Sequence, residues 1–68
     1  MSKGILTARE REVFELLILN KSTKEISTYL GISEKTVRNH ISNVMQKMNV
    51  KGRSGATIEL LKLGEINL

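Results

Sequence analysis

The chain of 68 residues predicts an all-α domain of four helices, and three observations carry that prediction. Proline is absent, so nothing interrupts the apolar residues that recur at spacings of three and four. Two Ser/Thr-x-x-Glu runs mark helix starts. No stretch alternates apolar and polar residues for long enough to make a strand, and neither an internal repeat nor a linker divides residues 1–68, which read as a single domain.

The first helix is expected over about residues 8–19. Thr7 opens the run TARE, in which its hydroxyl caps the helix and Glu10 completes a capping box; Val13, Phe14, Leu16, Leu17 and Leu19 follow as far as Asn20. The second helix, residues 23–30, repeats the device with Ser22 and Glu25 in STKE, carries Ile26, Tyr29 and Leu30, and stops at Gly31, which takes positive φ at no steric cost. Ser33 caps the third, residues 34–48, with Glu34 at the positive end of its dipole. Its apolar residues Val37, Ile41, Val44 and Met48, at intervals of four, three and four, form one face. Asn49 to Gly52 break that pattern, and a fourth helix over about 52–63 holds Ala56, Ile58, Leu60, Leu61 and Leu63 before Gly64. Phe14 and Tyr29 are too few for a base-stacking platform and are expected in the core.

Two capped helices joined by a turn this tight, from Ser22 to Lys47, read as a helix-turn-helix whose second helix lies in the major groove of double-stranded DNA. The charge falls in the same place. Of the net +4, residues 1–34 contribute nothing, with five basic and five acidic side chains; residues 35–53 hold Lys35, Arg38, Lys47, Lys51, Arg53 and His40 and no acid. At about 100° per residue, Lys35, Arg38, Asn39, Ser42 and Gln46 stand opposite the apolar stripe. Arg38, Asn39 and Ser42 lie early enough in the helix to reach base edges: arginine suits guanine O6/N7, asparagine suits adenine N6/N7, and serine serves as donor or acceptor. Thr36 at the helix start is expected to meet a phosphate, as are Lys35, Lys47, Lys51 and Arg53, although Arg53 alternatively braces the turn into the last helix. His40 sits at the edge of the apolar stripe, where packing with a ring nitrogen toward a phosphate or backbone group outweighs metal or acid-base chemistry.

Other functions lack parts. There is no cysteine, no Walker-type glycine loop and nothing to complete a triad around His40, so neither an enzyme nor a cofactor or metal site is expected. No apolar run reaches the roughly 18–20 residues of a membrane span and no signal peptide opens the chain, which points to a soluble cytoplasmic protein acting at the bacterial nucleoid. A domain this small buries only about 60% of its unfolded surface, and a dimer would add to its stability. If Ala56, Leu60 and Leu63 face the core, then Ile58 and Leu61, with Thr57 and Lys62 nearby, face outward and offer a homodimer surface; the alternative is that Ile58 and Leu61 fold back on Ile66 and Leu68. A non-catalytic adaptor that uses the third helix to bind an acidic protein is the competing reading of another class.

The run LTARERE, the block STKEIS…LGISEKTVRNHISNVMQKMNV, and GRSGA ahead of the last helix together resemble the LuxR-type helix-turn-helix family over nearly the whole chain. Glu10, Glu25, Ile26, Ser33, Thr36, Val37, His40, Ile41, Lys47, Val50 and Arg53 stand in the order and spacing of that class. The resemblance implies four helices, dimerisation through the last of them, and binding of two half-sites near promoters with activation or repression. It implies RNA polymerase as a candidate partner, and it supports Thr36, Arg38, Asn39, Ser42 and Lys47 as positions facing DNA. Because the chain begins just before the first helix, with no room for a sensor, it is most similar to the stand-alone regulators of late sporulation genes. The alternative is a C-terminal module cut from a longer response regulator or quorum-sensing regulator. Ser27 departs from the Ala common where the two helices approach closely, but it is small enough to keep the fold.

Overall fold

The computed structural model describes residues 5–67, which form α1 (Ala8–Ile18), α2 (Thr23–Leu30), α3 (Glu34–Met48) and α4 (Arg53–Lys62), with no strand among the described residues. Each start is written locally. The Glu10 N–H donates to Thr7 Oγ1 at 3.1 Å and the Thr7 N–H to Glu10 Oε1 at 3.0 Å, closing the first capping box. Ser22 and Glu25 close the second at 3.0 and 2.8 Å. In α3 the Thr36 N–H donates to Ser33 Oγ at 3.0 Å. Gly52, at the N-cap of α4, has no side chain to offer, and α4 starts without a side-chain cap.

The stops follow one pattern. Asn20, Gly31, Asn49 and Gly64 all lie in the left-handed region, at φ of 66°, 70°, 57° and 74°. After each, the next N–H folds back on a carbonyl of the last turn: Lys21 to Leu16 at 3.2 Å, Ile32 to Ser27 at 3.1 Å, Val50 to Met45 at 3.0 Å and Glu65 to Leu60 at 2.9 Å. This reversal ends α1 at Ile18, one residue short of the expected boundary, and leaves Leu19 64% exposed.

The core gathers one to three residues from each helix, with Leu6 before α1 and Ile66 after α4: Leu6, Val13, Phe14, Ile26, Val37, Ile41, Val44, Ala56, Leu60 and Ile66. Three expectations change here. Tyr29 is not core: it is 77% exposed and lines an open groove between α1 and α2 with Leu16 and Leu19. Leu63 is exposed because α4 ends before it, and Ile66, past the Gly64 reversal, is buried instead. Leu61 does not face fully outward; it is half-buried and packs against the core cluster. The tail that brings Ile66 inward is fastened across the fold by Arg11, which donates to the Glu65 carbonyl oxygen and, at 3.3 Å, to its carboxylate. Leu68 lies outside the described residues. Among the described residues no helix is long and apolar enough to cross a membrane.

Candidate nucleic-acid interface

α2 and α3 pack on each other across the three-residue turn Gly31–Ser33, and α3, at about 1.5 Å per residue, extends some 22 Å as the longest element of the domain. Val37, Ile41 and Val44 are buried beneath it. Lys35, Arg38, Asn39, Ser42 and Gln46 are exposed along the opposite side, where the helical phase placed them. Asn43 is exposed there too, one turn past Asn39. The phase that selects Asn39 also selects Asn43, so the row of amide side chains is longer than the sequence reading made it.

Arg38 is not free. Its Nη1 lies 3.6 Å from Glu34 Oε1, one turn earlier, with both side chains about half exposed. An exposed i,i+4 pair stabilises a helix by only about 0.3–0.5 kcal/mol, so Arg38 leaves Glu34 at little cost when a better acceptor is offered. At the N-terminus the Ser33 hydroxyl donates to Thr36 Oγ1 at 2.9 Å, which leaves the hydroxyl hydrogen of Thr36 available to an outside acceptor. Lys35 and Lys51 are exposed and carry no ion pair among the described residues. Arg53 reaches back across the fold, where its Nη2 donates to Thr23 Oγ1 of α2 at 3.5 Å, so it braces α2 rather than the turn after α3.

Lys47 is held differently. Its ammonium contacts the Glu10 carboxylate directly and donates to the Ile5 carbonyl at 3.2 Å, both at the start of α1. Glu10 is only 3% exposed. Burial pushes its carboxyl up, but the hydrogen bonds from Lys47 and the Thr7 N–H and the charges of Lys47 and half-buried His40 together outweigh burial and hold it below its ordinary value. The sign of the linkage follows. An unfolded Glu10 takes up a proton more readily than the folded one, so its contribution to stability is present above the ordinary carboxylate range. That contribution is lost as pH falls toward the lowered folded value. The melting midpoint is therefore expected to drop on acidification, and Glu10→Gln to shrink that dependence; an unchanged acid profile in the variant would assign the sensitivity to other groups.

On the far side, α4 presents Ile58, 55% exposed, and the exposed Lys62. Half-buried Thr57 and Leu61 line a shallow groove with Leu17 and Ile18 of α1. The apolar surface expected on α4 alone therefore extends onto α1.

Known proteins match this arrangement. The profile of bacterial regulatory proteins, luxR family, matches residues 4–60. The spore germination protein GerE of Bacillus subtilis is 69% identical over 67 residues, covering 98% of this chain and 90% of that protein. The transcriptional regulatory protein DegU of Brevibacillus brevis is 48% identical over 64 residues, and the nitrate/nitrite response regulator NarP of Escherichia coli 45% over 59. In both of these longer regulators the chain spans 27% of the length. A solved structure of the transcription factor GerE superposes with a TM-score of 0.93 at 62% identity, over 96% of this chain and 97% of that one.

Proposed function

The chain belongs to the luxR family of bacterial regulatory proteins, and on that premise we propose that it regulates transcription by laying α3 in the major groove of double-stranded DNA. One observation carries the reading: the solvent-exposed side of α3 gathers Arg38, Asn39 and Ser42, the donor and acceptor types that suit base edges, while the buried stripe fixes the helix in place. Lys35, Thr36 and Lys51 supply phosphate contacts, with exposed Arg53 and half-buried His40 as further ones and Lys47 contributing less because it is already paired. Selection of bound duplexes from a random pool tests the proposal. A defined half-site is expected, and an unselected pool after several rounds would reject base reading by this helix.

The protein acts as a homodimer on two such half-sites, through Thr57, Ile58, Leu61 and Lys62 of α4. The exposure of Ile58 supports this, since a branched apolar side chain left in water on so small a domain favours a partner. Ile58→Glu is expected to abolish self-association in sedimentation; a wild type that stays monomeric at high concentration on and off DNA rules out the surface. Likeness to a spore germination protein supports control of genes of late sporulation, by activation through RNA polymerase or by repression, in the bacterial cytoplasm at the nucleoid.

A further inference from the structure

Glu10 is the one buried charged residue among those described, and its place in a capping box does not explain its charge. Glutamine serves at that box position as well as glutamate, and Glu25, which closes the second box, is exposed. What distinguishes Glu10 is Lys47. We propose that Glu10 is a positioning residue which withholds Lys47 from the DNA backbone, lowering the affinity shared by all sequences and leaving discrimination to the exposed face of α3. The inference rests on the DNA-binding reading above and adds a determinant of overall affinity to it.

The geometry supports each step. Lys47 lies on the flank of α3, about 80° from Val37, whereas Asn39 and Gln46 lie nearly opposite it. Its ammonium has three donors, and two are committed, one to the Glu10 carboxylate and one to the Ile5 carbonyl at 3.2 Å. Glu10 cannot follow Lys47 outward, because the same Oε1 accepts the Thr7 N–H at 3.0 Å within a 3% exposed residue. A phosphate that drew Lys47 away would leave that carboxylate buried and uncompensated. The pair is also neutral as a unit, so it releases no counterion from a phosphate, and counterion release sets the salt dependence of binding. Lys35 and Lys51, exposed and without ion pairs among the described residues, are not restrained in this way. A term common to all sequences cancels from the ratio of specific to non-specific binding, so what Glu10 sets is the overall affinity and its salt dependence, while the preference among sequences stays with the exposed face of α3.

The test measures binding of the intact chain to a random-sequence duplex by fluorescence anisotropy, between about 50 and 200 mM salt, for wild type, Glu10→Gln, Lys47→Met and the double variant. Glu10→Gln should bind more tightly at low salt and steepen the logarithmic salt slope by about 0.9, a fall in affinity three- to fourfold larger across that range. Lys47→Met should leave the wild-type slope nearly unchanged, and added to Glu10→Gln it should return the slope to the wild-type value. Lys47→Met strands Glu10, so circular dichroism must show it folded; if it is not, the comparison of Glu10→Gln with the double variant decides alone. A slope in Glu10→Gln equal to or shallower than wild type overturns the proposal, as does a gain that persists in the double variant. A wild type with no salt-dependent duplex binding would overturn the DNA-binding reading itself, an outcome readily told apart from a mere failure of the slopes to differ.

Discussion

Phe14→Ala is expected to remove about 3–5 kcal/mol of stability, the usual cost of emptying a large aromatic site in a packed core. Phe14 has 0% exposure and is the largest fully buried side chain, set in α1 where that helix meets the rest of the core. At roughly 0.05–0.15 kcal/mol per residue, a domain of 68 residues holds only some 3–10 kcal/mol in total. The loss is therefore between about a third and all of that total, so the variant should melt far below wild type and lose duplex binding as its helicity is lost. Thermal melting followed by circular dichroism checks this, and a midpoint within a few degrees of wild type would mean that the core collapses onto the vacancy far better than the packing suggests.

Arg38→Ala is expected to cost about 1–3 kcal/mol on the cognate duplex and to relax the preference at one base pair, with little change on unrelated sequences. The side chain is exposed, and the Glu34 pair that it gives up is weak. Nearly all the loss should thus come from the base contact. Arg38→Lys should not restore the preference, because a lysine ammonium lacks the planar fork that meets guanine O6 and N7 together. Competition binding against single-base variants of the selected site gives the readout. An unaltered ranking of those variants would remove Arg38 from the base-reading set.

α2 and α3 were legible to the residue because their boundaries depend on side chains that act within a turn: Ser22 with Glu25, Ser33 with Thr36, and Gly31 between the helices. Periodicity then oriented α3 correctly, since its buried stripe is long enough to fix a phase. Where contacts reach across the chain, local reading failed. Tyr29 lies three residues from the buried Ile26, and on so short a helix nothing in the sequence shows that α1 leaves that side open. Ile66 belongs to no periodic run; it enters the core because Gly64 reverses the chain and Arg11, 54 residues away, holds Glu65. The pairing of Lys47 with Glu10 spans 37 residues and was equally invisible, since Lys47 and Arg38 flank the buried stripe of α3 at similar angles on its two sides and the phase does not tell them apart.

The left-handed stops at Asn20, Gly31, Asn49 and Gly64 close every helix with the chain's own residues. None of these endings needs a neighbouring domain to satisfy the last carbonyls or to turn the backbone away. A unit punctuated in this way is portable: it can be joined to other domains without redefining where any of its helices stop. Regulators such as DegU and NarP carry a segment similar to this chain over 27% of their length.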